Sequence, residues 1–263
     1  MHGERTMKRQ AQAGDDSGQL ESRARMHAAL GEPVRLTIVD QLILGDASPG
    51  ELGEVVDLRT NLLAHHLKVL DEAGLIRRVR SEGDRRRSYV QLRWDDPSVA
   101  ALVTAVSRNA AWAAPRVVFV CTHNSARSQL AAAAWARVSP IPAASAGTHP
   151  AARIHPRAMA TGRRHGLPIG NARTHHVQDT LQPGDLIVAV CDNAHEELVA
   201  SPPLQDSDGP PIGRGWLHWA VPDPVRVDTD AAFEIAYTDL THRVARLADA
   251  LKSSDLDPHR AAS

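Results

Sequence analysis

The spacing of apolar residues changes near residue 115, and this change limits the folds that the chain can adopt. Before it, apolar residues recur every three or four positions, as in LESRARMHAALG and RTNLLAHHLKVLDEAG, which predicts amphipathic helices. After it, short apolar runs such as VVFV, AASAG and LIVAV alternate with helical stretches. This alternation favours a central parallel sheet with helices on both faces. Pro115 would end a preceding helix, so we place a domain boundary beside it.

The two patterns predict two domains between polar ends. We expect a mainly α domain over 21–114 and an α/β domain over 115–253. The polar ends, 1–20 and 254–263, are expected to be disordered. The chain has 263 residues and 43% hydrophobic content, enough for a core in each domain.

The N-terminal sequence and the cysteine count indicate the cellular compartment of the protein. The N-terminus has no continuous apolar stretch of the kind that a signal peptide needs, and no run of about 18 uncharged apolar residues follows. We therefore expect a cytoplasmic protein with no membrane partner. The chain contains 2 cysteines, in neither a CxxC nor a CxH cluster, which argues against a disulfide framework and against structural zinc. A net charge of −1 excludes no partner class, because it can hide a local basic face.

The first half has the elements of a winged helix-turn-helix, namely several helices followed by a hairpin around an EGD turn. The predicted major-groove helix spans 60–72, and the hairpin is rich in arginine. Such side chains contact phosphates and base edges of double-stranded DNA. The alternative is that the arginines only form a solvated surface. The candidate DNA-binding residues are Arg59, Thr60, Asn61, His65, His66 and Lys68, which we expect to be exposed early positions on the helix, and Arg85, Arg86 and Arg87 on the hairpin, which also carries Arg77, Arg78 and Arg80.

The segments EPVRLTIVDQL and HHLKVLDEAGLIRR, with the hairpin ending in SYVQL, resemble the ArsR-type winged-helix repressors over about 22–112. The resemblance implies a homodimer joined through the first and last helices, here about 20–31 and 97–113. Sensors of this family often carry a cysteine pair near the helix before the turn, or Asp and His ligands on the last helix. SPGELGEVVDL and PSVAALVTAVSRNAA contain neither Cys nor His. No metal site is therefore predicted, and the inducer is not visible.

The second half begins with VVFV, followed by CTHNSARS and an alanine-rich helix. This order places Cys121 between a strand and a helix, where loop N–H groups and the helix dipole converge. Such a site lowers the pKa of a thiol and binds a tetrahedral oxyanion. Arg127 could hold two oxygens of the same anion, while Asn124 and Ser128 could bind the thiolate and shape the loop. A buried, inert cysteine is the alternative, and it leaves the arginine unexplained.

VCTHNSARSQLA, SAGTHP, LIVAVCDNAHEE and HWAVPDPV occur in this order and resemble the low-molecular-weight protein tyrosine phosphatases, in particular their arsenate reductase branch, over about 116–252. The resemblance implies that Cys121 is the nucleophile, Arg127 the oxyanion clamp, Ser128 the stabiliser of the thiolate and Asp223 the general acid. From the residues alone, Asp223 could equally be a turn aspartate, although the flanking prolines would stiffen its loop. The predicted oxyanion-binding loop comprises Thr122, His123, Asn124, Ser125, Ala126 and Arg127.

Two features favour arsenate over an aryl phosphate as the substrate. The residue after the DP pair is Val225, where phosphatases of this family have an aromatic residue, and HW before the pair is typical of the reductase branch.

The second cysteine is a further argument for reduction. Cys191 follows the strand LIVAV and would lie at the same sheet edge as Cys121, where it could form a disulfide with Cys121. It could also be a small buried residue. The third cysteine of thioredoxin-coupled reductases is replaced by Leu198.

The sequence therefore predicts a DNA-binding regulator fused to an arsenate reductase, with no bound cofactor. The electron donor would be Cys191 or an external thiol of the thioredoxin, mycothiol/mycoredoxin or glutathione type. Two alternatives remain open. One is a phosphatase acting on phosphotyrosine or a small phosphate ester, and the other is a sensor that binds an oxyanion without turnover.

Overall fold

The computed structural model describes residues 18–106, 113–201 and 216–252, and the predicted tails lie almost entirely outside these ranges. The chain divides into two compact units. The first contains most of the described residues before 107. The second contains the described residues from 113 onward and two short segments from the first half, 44–46 and 79–89.

The first unit is built on helices whose starts are encoded locally. After α1, which is helical from 18 to 30, α2 (Pro33–Leu42) begins where the Glu32 carboxylate accepts the N–H groups of Val34 and Arg35. At the start of α3 (Pro49–Val56), Ser48 and Glu51 form a capping box, which satisfies amides that the helix itself leaves unpaired. α4 (Thr60–Glu72) follows.

The strands β1 (Ile76–Arg80) and β2 (Ser88–Leu92) pair in a two-stranded sheet, and α5 (Pro97–Val106) follows. This order confirms the predicted helices and the hairpin, whose loop contains the EGD turn. Leucines from α2, α3 and α4 are fully buried in one core with Val90 and Val99. Residues 107–112 of the predicted last helix lie outside the described residues.

The second unit is an α/β domain around a four-stranded sheet of order β4-β3-β5-β6, with every neighbouring pair parallel. Its strands are β3 (Val117–Cys121), β4 (Ala143–Gly147), β5 (Leu186–Ala189) and β6 (Trp216–His218), and its helices are α6 (Arg127–Trp135), α7 (Pro156–Arg164), α8 (Val177–Thr180), α9 (Asp192–Ala200), α10 (Pro224–Val227) and α11 (Asp230–Lys252). The predicted fold class is confirmed. β6 was not predicted, because a three-residue strand shows no periodicity.

The strand order brings the carboxyl ends of β3, β5 and β6 to one edge. β3 lies between β4 and β5, and all five of its residues are buried. Phe119 packs between Trp135 and Trp219, with ring centroids 6.0 and 5.8 Å away. α11 packs against α6 and α7, and α9 packs against β3 and β5. Cys121 and Cys191, each at or just beyond a strand end, therefore share this edge. No helix in the described ranges is long and apolar enough to cross a bilayer.

Candidate active site

The loop between β3 and α6 is curved by hydrogen bonds to its outward-facing carbonyl groups. The carbonyls of Cys121, Thr122 and His123 accept the N–H groups of Thr148, His149 and Ala151, and the carbonyl of Ser125 accepts that of His155. The Asn124 carbonyl accepts from the side-chain amide of Gln129. Because neighbouring segments engage these carbonyls, we expect the N–H groups of the loop to face the opposite side. This side can hold an anion.

Asn124 holds the loop in shape. Its side chain is fully buried and its φ is 48°. The Oδ1 atom accepts the backbone N–H of His175 at 2.8 Å, which fixes the orientation of the amide. The Nδ2 atom then donates to Ser128 Oγ at 2.8 Å.

Ser128 is thereby oriented toward the sulfur of Cys121. Ser128 Oγ lies 3.0 Å from Cys121 Sγ, and both side chains are buried. Since the hydroxyl oxygen already accepts from Asn124, its own proton is available for the sulfur. A hydroxyl donor stabilises the thiolate form, which is the nucleophilic form of cysteine. The geometry therefore agrees with the roles that the sequence predicts for Cys121, Ser128 and Asn124.

Arg127 is the first residue of α6 and is buried beside the two thiols. Its Nη1 donates to the carbonyl of Val221 at 2.9 Å, and its Nη2 lies 3.3 Å from Asp223 Oδ1. Burial by itself lowers the pKa of Arg127, but the negative charges of Cys191, Asp223, Cys121 and Glu82 outweigh it and raise the pKa. The guanidinium group is a permanent positive charge close enough to both thiols to interact with them.

Asp223 caps the short helix α10, where its carboxylate accepts the N–H of Val225 at 3.1 Å. Its side chain remains 17% exposed. The carboxyl group therefore lies beside the clamp and within reach of solvent, as a group that exchanges protons requires.

Cys191 lies at the N-terminus of α9, next to the loop. Its Sγ is 3.5 Å from Thr122 Oγ1 and accepts the N–H of Ala194 at 3.5 Å. Burial raises the pKa of the Cys191 thiol, and the positive charge of Arg127 opposes that rise. Both cysteines are buried, and neither forms a disulfide. Leu198, in the place of a third cysteine, is buried in α9. Cys121 and Cys191 lie at the same edge of the sheet, and the charge of Cys121 contributes to the raised pKa of Cys191. The role of Cys191 as the thiol that completes a disulfide stays a prediction.

The family model for the low molecular weight phosphotyrosine protein phosphatases matches residues 116–256, more than half of the chain. The chain belongs to this family. The model for the bacterial regulatory proteins of the arsR family matches residues 32–78. The phosphatase-family half is thus joined to an ArsR-type helix-turn-helix, a DNA-binding element, as the two resemblances implied.

Solved structures similar to this chain include phosphatases and arsenate reductases. The tyrosine phosphatase Wzb from Escherichia coli is 21% identical over 52% of this chain and 99% of its own, with a TM-score of 0.46. An arsenate reductase from Archaeoglobus fulgidus is 25% identical over 51% of this chain and 98% of its own, with a TM-score of 0.39. The thioredoxin-dependent arsenate reductase from Corynebacterium glutamicum is 24% identical over 55% of this chain and 65% of its own, with a TM-score of 0.42. No curated protein matches the chain. The comparisons establish the family and leave its activity open.

Three contributors to the phosphatase-family site were not predicted. Glu82 contacts Arg127, with Oε2 3.4 Å from Nη1. Gln129 ties the loop to the Arg173 carbonyl at 2.8 Å. Gly147, at the end of β4, approaches the loop so closely that a Cβ atom would lie 2.8 Å from the Thr122 carbonyl oxygen. Glycine in SAGTHP was a signal for this close approach, whereas Glu82 is separated by too many residues for any local pattern to connect it to the loop.

The predicted DNA-contacting residues are exposed, with one exception. The exposed residues are Arg59, which precedes α4, then Thr60, Asn61, His65 and Lys68 on α4, and the loop arginines Arg85, Arg86 and Arg87. His66 is buried, and its Nδ1 lies 3.4 Å from Glu32 Oε2. The expectation that His66 is exposed is therefore wrong, because its position on α4 faces the start of α2. In the described ranges no group of three or more His, Cys, Asp or Glu side chains could hold a metal ion.

Proposed function

We propose that the phosphatase-family half is a thiol-dependent arsenate reductase and that the whole chain is an arsenic-resistance regulator with its own enzyme. The observation that carries this proposal is the position of Cys191. Its sulfur lies 3.5 Å from the hydroxyl of Thr122, the residue that follows Cys121. Phosphate ester hydrolysis needs one thiol, whereas reduction of an oxyanion needs a second thiol to complete a disulfide.

In the first step, the Cys121 thiolate attacks arsenate and forms a sulfur–arsenic bond. One hydroxyl of arsenate leaves as water after it takes the proton of Asp223. The N–H groups of the loop and the Arg127 guanidinium hold the remaining oxygens and stabilise their charge. The Ser128 hydroxyl stabilises the Cys121 thiolate before the attack. This hydrogen bond weakens when the sulfur gives up its negative charge to form the sulfur–arsenic bond.

In the second step, the Cys191 thiol gives its proton to an oxygen of the bound arsenic group, and the resulting thiolate attacks Cys121 Sγ. A sulfur–sulfur bond forms, the sulfur–arsenic bond breaks, and its electron pair stays on arsenic, which leaves as arsenite. Arsenic gains two electrons and the two thiols become a disulfide. An external thiol of the thioredoxin, mycothiol/mycoredoxin or glutathione type then reduces the disulfide. In an alternative second step, the external thiol attacks Cys121 directly.

The reaction is tested by arsenite release from the full-length protein with each class of thiol donor, compared with Cys121→Ser and Cys191→Ser. We expect release by the wild type and none by Cys121→Ser. After a single turnover without donor, mass spectrometry should find Cys121 linked to Cys191. Arsenite release by Cys121→Ser would contradict the catalytic role of Cys121. The absence of the disulfide would contradict the internal second step alone.

The second candidate activity is hydrolysis of a phosphate monoester. It is favoured by the Asp223 carboxylate, 3.3 Å from Arg127, where it could protonate a departing alcohol oxygen before water attacks the phosphocysteine. Phosphate release from an aryl phosphate, with no arsenite release, would support this activity.

A third candidate is a sensor that binds an oxyanion without turnover, an alternative favoured by the fusion to an ArsR-type helix-turn-helix. If neither arsenite nor phosphate is released while oxyanions change DNA binding, the domain is a sensor.

For the first half, we propose a homodimer joined through the first and last helices that binds double-stranded DNA through α4 and the hairpin arginines. The exposure of Arg59, Thr60 and Asn61 at the start of α4 supports the predicted contacts. Sedimentation with and without a DNA duplex tests both parts. A monomer that binds no DNA would contradict them.

A further inference from the structure

The Arg127 guanidinium contacts a second carboxylate of this chain besides that of Asp223. Glu82 Oε2 lies 3.4 Å from Arg127 Nη1, and the same carboxylate accepts the backbone N–H of Asp223, with its two oxygens at 3.0 and 3.1 Å. An arginine fork and a backbone amide are also what an oxyanion site offers to its ligand. Glu82 belongs to the segment 79–89, part of the same compact unit as the loop.

Hydrogen bonds to α9 hold Glu82 in this position. The backbone N–H of Glu82 donates to Asp192 Oδ2 at 2.8 Å. The Glu196 carboxylate accepts from Ser81 Oγ at 2.7 Å, from the Tyr89 hydroxyl at 3.0 Å and from the Asp84 N–H at 3.2 Å. The segment is therefore anchored on both sides of Glu82 by charge-assisted hydrogen bonds, which are stronger than bonds between neutral groups.

Gly83 lets the segment approach α9 this closely. A Cβ atom at this position would lie 2.4 Å from Asn193 Oδ1 and 2.8 Å from Glu196 Oε2. Any larger residue must displace these side chains, and Glu196 is one of the anchors. Glycine at 83 thus allows Glu82 to reach the clamp.

We propose that Glu82 is an internal competitor for the oxyanion site and sets its affinity. An arriving oxyanion has the same charge sign and uses the same guanidinium, so it must displace the Glu82 carboxylate before Arg127 can hold two of its oxygens. The apparent affinity is then reduced by the fraction of molecules in which Glu82 occupies the clamp. This inference rests on the oxyanion site of the proposed function, and it holds whether the bound anion is reduced, hydrolysed or only sensed.

The test measures binding of inorganic phosphate and of arsenate by calorimetry in full-length protein carrying Cys121→Ser, which prevents covalent chemistry. Glu82→Gln and Glu82→Ala each remove the competing charge. We expect both to bind either anion about fivefold more tightly than the parent. Glu72→Gln is the matched control, because it makes the same change in net charge on an exposed position of α4 and should leave the affinity unchanged.

A second variant keeps the Glu82 charge and disturbs only its anchor. Gly83→Ala should also tighten anion binding, by about twofold, because the segment is pushed away from α9. Gly50→Ala is its control, since the only atom near a Cβ at Gly50 is Ser48 Oγ at 3.8 Å. When Glu82→Gln is added to the Gly83→Ala variant, the anion affinity should rise by less than the roughly fivefold increase expected for Glu82→Gln in the parent protein.

Unchanged or weaker binding by both Glu82 variants would overturn the proposal; weaker binding would mean that Glu82 supports the site by holding the Asp223 amide. Absence of anion binding in every variant would overturn both the competitor and the oxyanion site. Failure of arsenite release by the wild type bears only on the proposed reaction, because the calorimetry uses a protein without the nucleophile.

Discussion

Asn124 has a positive φ of 48°, a conformation that costs a non-glycine residue roughly 1 kcal/mol or more. Asparagine adopts it more readily than most residues, but the side chain has a further reason to be there. It joins the His175 amide to the Ser128 hydroxyl through hydrogen bonds of 2.8 Å each. The backbone conformation and the orientation of Ser128 therefore depend on the same residue.

The variants Asn124→Gly and Asn124→Ala separate these two contributions. Both remove the hydrogen bonds to His175 and Ser128, so we expect both to lower the turnover number at least about tenfold, as loss of a charge-orienting donor does. Only alanine also carries the strain of a positive φ, so it should be less stable than the glycine variant by about 1 kcal/mol. Chemical denaturation and steady-state kinetics measure the two effects. Equal stability of the two variants would show that the positive φ at position 124 does not strain the alanine backbone.

The buried His218 gives a second prediction at this scale. Burial lowers its pKa from 6.5, and the hydrogen bond to Asp192 Oδ1 at 3.0 Å opposes that effect in part. The folded state thus binds this proton less readily than the unfolded state. Stability from the neutral ring is complete above the unfolded pKa of about 6.5 and is lost as the pH falls toward the folded value.

Urea denaturation of the wild type and of His218→Gln between pH 8 and pH 5 tests this assignment. The wild type should lose up to about 1.4 kcal/mol more per pH unit below pH 6.5 than the variant, because glutamine does not titrate. If the free energy of unfolding falls equally with pH in the two proteins, the titration of His218 does not cause the pH dependence.

Gly147 shows how a strand end shapes the loop. It is the last residue of β4 and pairs with Cys121 in register. A Cβ atom there would lie 2.8 Å from the Thr122 carbonyl oxygen and 2.9 Å from the Asn124 nitrogen. Both neighbours are backbone atoms, which cannot rotate away as a side chain does. The strand and the loop can pack at this distance only because the strand ends in glycine.

Gly147→Ala should therefore displace the loop and weaken phosphate binding about tenfold or more, with a loss of stability of about 2 kcal/mol from overpacking. Gly170→Ala is the matched control, because no atom lies within 4 Å of a Cβ at that position. Phosphate titration and thermal unfolding of both variants provide the measurement. Normal phosphate affinity in Gly147→Ala would show that the loop tolerates the added atom.

At the level of elements, sequence reasoning succeeded where a strand or helix is long and periodic. It predicted β3, β4 and β5, the helix that became α11, and the placement of Cys121 and Cys191 at one sheet edge through parallel strand ends. It missed β6 because three residues carry no periodicity, and it treated Glu82 as part of a turn. A turn sequence shows that the chain reverses, but the approach of Glu82 to Arg127 depends on tertiary packing against α9.

The whole chain combines a DNA-binding element with an oxyanion site, and the segment 79–89 carries residues relevant to both. Glu82 contacts the clamp, and the exposed Arg85, Arg86 and Arg87 follow within five positions. Arg86 makes an ion pair of 3.0 Å with Asp84, and because the Arg86 side chain is 90% exposed this pair does not prevent the arginine from contacting phosphate. The predicted contribution of these arginines to DNA binding can be measured without knowing the operator.

The triple variant Arg85→Ala, Arg86→Ala, Arg87→Ala should weaken binding to a duplex of any sequence. If each arginine neutralises one DNA phosphate, the slope of log affinity against log salt should become shallower by about 0.9 per residue, or almost 3 in total. A control triple variant, Arg153→Ala, Arg163→Ala, Arg226→Ala, removes the same charge from exposed positions of the phosphatase-family half and should leave the slope nearly unchanged. Fluorescence anisotropy between 50 and 300 mM salt, a range of about sixfold in concentration, resolves such a difference. An equal loss of slope in both triple variants would show that net charge, rather than the hairpin, determines the contact with DNA.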